Sequence, residues 1–192
     1  MKRTVPLLFL LLVLAPSALG TVLLRMDLDD LTAESHAVVY GRIVASRVEW
    51  NESRTLIYTV YTVQPLEYLK GNLGPSFELH EPGGELDGLG MQIASVPVFS
   101  VGEEAVLFVW TDARGQHQVI GFEQGVLTVQ TDLATALKMV NRRIRLGSAR
   151  TAASAARPAA GTSRFLPQLF HQIRSSAART RETVATQEEI AL

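Results

Sequence analysis

The chain runs to 192 residues, with 18 basic and 19 acidic side chains and no cysteine. Without cysteine there can be no disulfide, thiol nucleophile or thiolate metal site, so the core alone must hold the fold together. The charge is unevenly spread: Thr21 to Asp132 carries six Lys or Arg against sixteen Asp or Glu, a net of −10, whereas Leu133 to Leu192 carries ten against three, a net of +7.

At the N-terminus, Lys2 and Arg3 precede the apolar run Val5 to Leu14, and "APSALG" follows with a breaker at Pro16 and small residues at Ala18 and Gly20. That order predicts a signal peptide over residues 1–20, cleaved after Gly20, and hence a secreted or periplasmic protein. An apolar run of about 10 residues falls short of the ~20 that a membrane-spanning helix needs. An uncleaved anchor is the competing reading, because Thr21 to Leu24 prolongs the apolar character.

Next, "MDLDDLTAESH" predicts a short amphipathic helix, its early acids complementing the helix dipole and Leu28 and Leu31 three apart. Ala37 to Trp50 is rich in β-branched and aromatic residues and predicts a strand, with Gly41 as a bulge. A turn at Asn51–Arg54 leads into a second strand, "TLIYTVYTV". After Pro65, "LEYLKG" reads as a short helical or turn segment ended by Gly71. "SFELHE" alternates, with Phe77 and Leu79 on one face and Glu78 and His80 on the other. "QIASVPVF" is a further apolar run, and "EEAVLFVW" and "HQVIGF" flank the hairpin turn "TDARGQ". "GVLTVQ" closes a module of about six short strands, mainly β, which leaves a small barrel or a sandwich open.

Leu133, Leu137, Val140 and Ile144 fall on one stripe and predict a helix that ends the acidic module, residues 21–146. Residues 147–164 are mostly Ala, Arg, Ser and Thr, too poor in apolar bulk to offset their ordering entropy, and the tail 147–192 reads as largely disordered. Its one apolar cluster, with Phe165, Leu169 and Ile173 four apart, suggests a short docking helix at 165–174.

The stretch "HEPGGELDGLG", His80 to Gly90, is the densest in chemistry-bearing residues. A zinc-protease helix would need a second histidine at position 84, which is Gly84, and Pro82 would break it. A phosphate loop would follow its glycines with a lysine, not with acids. Glu81, Glu85 and Asp87 lack the alternating oxygen ligands of a calcium loop. "DLDDLTAESH" also fails as a calcium loop, with Thr32 at the sixth position and Val38 at the twelfth. The plain reading is a turn at Pro82–Gly84 and a surface loop at Gly88–Gly90. His36, His80, His117 and His171 are scattered, no Gly-x-Ser-x-Gly elbow occurs, and Glu103 and Glu104 read as solvated. Trp50 and Trp110 could floor a sugar or peptide groove, but each ends an apolar strand and reads better as packing.

Ala37 to Gly71, with its Gly-x-Val strand, its strand of alternating aromatic and branched residues and its Leu-Lys-Gly close, resembles the opening of netrin-type modules and the related tissue inhibitors of metalloproteases. "PGGELDGLG", "GEEAVLFV" and "GFEQG" are also similar to segments of uncharacterised secreted bacterial proteins. The resemblance covers about Leu31 to Asp132 and implies a five-stranded barrel of the OB type; joined to the reading of the residues, the expected fold is an OB-like barrel of five or six strands with a short N-terminal helix, a C-terminal helix and a flexible basic tail. It does not carry over zinc chelation by an N-terminal cysteine, because this chain has none.

The expected function is that of a secreted, non-catalytic binding module for an extracytoplasmic protein or polysaccharide. Its expected recognition loop contains Gly83, Gly84, Glu85, Asp87 and Gly88, and neither metal nor cofactor is expected. Nucleic acid is not an expected partner, while the basic tail could touch the cell envelope. Two alternatives stand: a hydrolase assembled from distant residues such as His80, Asp87 and His117, and a structural envelope protein tethered by its tail.

Overall fold

A computed structural model describes residues 25–142 and 164–190. The expected signal peptide, its cleavage after Gly20, and the linker over residues 147–163 lie outside the described residues.

Helix α1 (Leu28–Glu34) opens the fold under a reciprocal cap: the Asp27 carboxylate accepts from the Asp30 amide at 2.9 Å, and the Asp30 carboxylate accepts from the Asp27 amide at 3.1 Å. Two long strands follow, β1 (Ala37–Trp50) and β2 (Ile57–Lys70), paired antiparallel along their length. Three register shifts bend β1 within its first nine residues, one of them between Tyr40 and Gly41. A Cβ at Gly41 would lie 2.9 Å from Val63 Cγ1 and 3.1 Å from the Gln64 carbonyl oxygen, so the bend needs glycine there.

Then come β3 (Phe77–Pro82), β4 (Gly84–Leu86), β5 (Leu89–Met91), β6 (Glu104–Thr111) and β7 (His117–Val119). The order β1-β2-β3-β7-β6 closes on itself, because Ala37–Arg42 of β1 also pairs with β6. All contacts in this ring are antiparallel except β3 with β7, which meet in parallel at Leu79 and His117. The result is a closed five-stranded barrel of OB-like form. A 3-10 turn (Phe122–Gly125) leads to β8 (Val126–Thr131), which pairs with the first half of β6; β9 (Lys138–Arg142), β10 (Arg164–Phe165) and helix α2 (Leu166–Ile190) complete the described chain. Among the described residues, no helix is long and apolar enough to cross a membrane.

The molecule has two apolar layers. Val39, Ile43, Val63, Phe77, Leu79 and Leu107 fill the barrel. Outside it, Val38, Val106, Phe108 and Leu127 meet Leu31 of α1 and Leu169, Phe170 and Ile173 of α2. Alternate residues of β6 and of the first part of β1, Ala37–Gly41, thus serve opposite layers, so both stretches read as almost unbroken apolar runs. Each fully buried Leu, Ile or Phe contributes roughly 1.5–3 kcal/mol, so both layers matter to stability.

Three segments differ from the sequence expectation. "LEYLKG" is not helical: β2 runs on to Lys70, and Pro65 is tolerated beside the Gly41 bulge, past the last β2 residue paired with β3. The helix expected over 133–146 is replaced, up to Arg142, by a turn and strand β9. The Asp132 carboxylate accepts from the Ala134 and Thr135 amides at 2.8 and 3.0 Å, closing a turn that brings β9 back against β8. Leu133 is consequently fully exposed and only Val140 of the described stripe is buried. The docking helix at 165–174 is present but longer, and from Leu166 to Ile190 the tail is helix rather than disordered chain.

Candidate functional site at the capped end of the barrel

The site begins with the alternation of β3. Phe77, Leu79 and Glu81 point inward while Glu78, His80 and Pro82 lie on the outer side. Glu81 is therefore a carboxyl inside the barrel, only 3% exposed. Its Oε1 accepts from the Val119 amide at 2.8 Å. That amide faces β3, because the ladder bond beside it runs from the Ile120 amide to the Phe108 carbonyl, and β3 and β7 are paired only at Leu79 and His117. The carboxyl supplies the acceptor that the sheet leaves out. Burial pushes Glu81 up to about 8, against the opposing pull of the Val119 hydrogen bond.

Above Glu81 the segment Gln92–Ser100, which holds the apolar run "QIASVPVF", forms an irregular cap rather than a strand. Pro97 interrupts it, while Val96 and Phe99 are buried. Phe99 packs edge-on against Tyr61, with ring centroids 5.1 Å apart, and the Glu123 amide donates to the Ser95 carbonyl at 3.0 Å. Between cap and barrel lies a cavity of about 360 Å³, lined by Thr59, Tyr61, Glu81, Gly83, Gly84, Glu123 and Met91 to Val98. Ser95 and Phe122, on and beside its rim, hold left-handed backbones at φ 64° and 57°, a conformation costing on the order of 1–3 kcal/mol for such residues. Ile93, Val98 and Phe122 are exposed around it.

The five expected recognition residues separate. Gly83 and Gly84 form the pocket wall, both at positive φ, and a Cβ at Gly84 would lie 2.8 Å from Thr59 Oγ1 and 2.9 Å from Val48 Cγ1. Glu85, Asp87 and Gly88 stand outside on the β4–β5 hairpin. Its two-residue turn, Asp87-Gly88, has φ 55° and 75°, the left-handed pair that a tight hairpin requires. Trp50 Nε1 donates to Asp87 at 3.3 Å, so that tryptophan braces the hairpin.

Of the residues of the alternative hydrolase, His80 and His117 are neighbours across β3 and β7, whereas Asp87 is held on the β4–β5 hairpin. His80 sits on the outer side of β3 near Tyr58, Asp87 is held by Trp50, and His117 packs on Phe77 with its Nδ1 2.9 Å from Thr111 Oγ1. His117 is held below the ordinary histidine value by burial, then by the nearby His80, with a further contribution from His36. His36 is tied to the same place, its Nδ1 accepting from the Thr111 amide at 2.9 Å. Among the described residues, no three His, Asp or Glu side chains are grouped to hold a metal ion.

A second polar cluster escaped the sequence reading. Glu104, expected to be solvated, accepts from Tyr40 Oη, from Lys138 Nζ at 2.7 Å and from Arg42 Nη2 at 2.6 Å. Burial alone would raise its carboxyl, but the bonds from Lys138, Tyr40 and Arg42 outweigh that and hold it at about 2. A broad open depression of about 590 Å³ lies beside it against β8. The partners are 34 to 64 residues away in sequence, so no local pattern announces them.

No family model matches the chain, and no curated protein matches it. The fold and the geometry of the barrel end therefore carry the functional argument.

Proposed function

We propose that this chain is an exported, non-catalytic binding module that holds an extracytoplasmic protein or polysaccharide ligand at the capped end of its barrel. One observation carries the reading: a pocket of about 360 Å³ is lined by the carboxyl of Glu81, of which Oε1 is held by the Val119 amide while Oε2 takes no hydrogen bond from a described residue. Burying such a group without full pairing costs stability, and the cost is rational where a ligand completes the set. The cap's strained backbone and exposed apolar lip support recognition at the same end. Two of the expected recognition residues, Gly83 and Gly84, remain as the wall of the site.

The test is capture of ligand by the immobilised chain from culture supernatant and from solubilised envelope polysaccharide, compared with Ala94→Trp. Ala94 is an exposed lining residue, so a bulky ring there obstructs the pocket without touching the core. Loss of capture with an unchanged melting temperature supports the reading. Capture that survives Ala94→Trp but disappears when the basic tail is removed favours the tethered envelope protein instead.

A further inference from the structure

Resting on the barrel-end pocket as the binding site, we propose that its occupant is the ammonium or guanidinium end of a lysine or arginine side chain, presented by a basic segment of a partner protein. Two carboxyl groups, Glu81 and Glu123, line the pocket, and no described lysine or arginine does. An anionic group beside Glu81 would push its carboxyl up further, whereas a cation draws it toward the carboxylate. Glu81 is the deciding residue: Val119 holds Oε1, and Oε2 takes no hydrogen bond from any described residue. A carboxyl oxygen that meets no protein donor and borders an open pocket is matched best by a charged donor that arrives with the ligand.

The rest of the wall suits the stem behind such a head. Met91, Ile93 and Val98 offer apolar surface to the methylene chain that lysine and arginine bury while delivering their charge. A sugar would want an open aromatic platform, but the Tyr61 ring is 3% exposed and packed against Phe99. The net of −10 between Thr21 and Asp132 attracts a basic partner over longer range.

Occupancy changes the protonation of the site. A cation beside Glu81 favours the carboxylate, so the carboxyl proton passes to solvent as the ligand binds, and binding tightens as pH rises. The groups lining the pocket around Glu81 are Thr59 and Tyr61 from β2 and Glu123 from the 3-10 turn, with the Val119 amide on β7. The cap from Met91 to Val98 has no titratable side chain, and the neighbouring His80 belongs to the outer side of β3.

The experiment is an NMR titration of the isotope-labelled chain with acetyl-Ala-Lys-Ala-amide and with its Nε-acetyl-lysine counterpart, above and below pH 8. The charged peptide should move the amides of Gly84, Val96 and Val119. Binding should weaken about tenfold or more on acetylation, and as much in Glu81→Gln, and should tighten from the lower to the higher pH. Equal binding of the acetylated peptide at those amides overturns the cation while leaving the pocket as the binding site. If neither peptide moves them, the inference fails. If Ala94→Trp also leaves ligand capture intact, the functional reading fails with it. Amides that accept peptide only after salt is raised would place the chain's own arginines in the pocket, overturning a partner as occupant.

Discussion

At Glu81 a buried carboxyl retains its proton into a range where the unfolded chain has lost it. Between the ordinary value of 4.5 and about 8 the native state binds more protons, so stability falls as pH rises through that window. His117 works with the opposite sign, removing stability as pH falls below its ordinary 6.5, so the effect of Glu81 is cleanest above that point. Glu81→Gln should flatten the decline and stabilise the chain by a few kcal/mol at the alkaline end, since each tenfold change in proton affinity is worth about 1.4 kcal/mol. Denaturant melts across that range check this, and parallel curves for both proteins would refute it. Glu104 makes the contrary case. Its depressed carboxyl lends stability that is present above 4.5 and lost as pH falls through about 2. Glu104→Gln should cost on the order of 1–3 kcal/mol at neutral pH, because Tyr40, Lys138 and Arg42 lose a charged acceptor. Glu81 was in principle legible, since it continues the inward phase of Phe77 and Leu79. The rule that carboxylates stay outside hid it, and only the missing strand partner at Val119 explains the exception.

The elements show which sequence signals are local. The cap of α1, the Asp87-Gly88 turn, the "TDARGQ" hairpin and the alternation of β3 depend on neighbours within a few residues, and each is readable from the chain. The leucine stripe after Asp132 misled because spacing alone cannot weigh a helix against a side chain that closes a turn. "LEYLKG" misled because β1, far upstream, decides that it is strand. Of the candidate site, Gly83 and Gly84 were legible as a turn, whereas the cap and Glu123 come together only in three dimensions. Gly84→Ala should destabilise by roughly 1–3 kcal/mol, since it adds a Cβ against Thr59 and Val48 at φ 137°. Gly90→Ala, with nothing near its Cβ and an ordinary φ, should be nearly neutral. Thermal melts of the two variants provide the comparison, and equal losses would dismiss the packing argument.

For the whole molecule, the consequential fact is that α2 shares a core with the barrel instead of trailing from it. Ile173 is wholly buried in a layer whose members run from Leu31 to Val140, so Ile173→Ala should cost about 2–5 kcal/mol. Tryptophan fluorescence from Trp50 and Trp110 should then unfold together with the helical circular dichroism. A helical transition that precedes the fluorescence change would mean that α2 docks as a separate unit. The ion pairs that flank the helix, Arg174 with Glu67 and Arg179 with Asp29, are exposed and contribute little beside that burial.

Strand β6 has a consequence for synthesis. It borders β1 on one side and both β7 and β8 on the other, so the barrel cannot close until residues 104–111 have been made. Its pairing with β1 spans more than sixty positions of chain, as between Arg42 and Glu104, and the outer layer waits longer still, for Ile173. A nascent chain that stops short of these points has a long hairpin and no lid for either layer. Folding is thereby deferred until those residues have been made, and a ribosome stalled before them releases apolar strands with nothing to cover them.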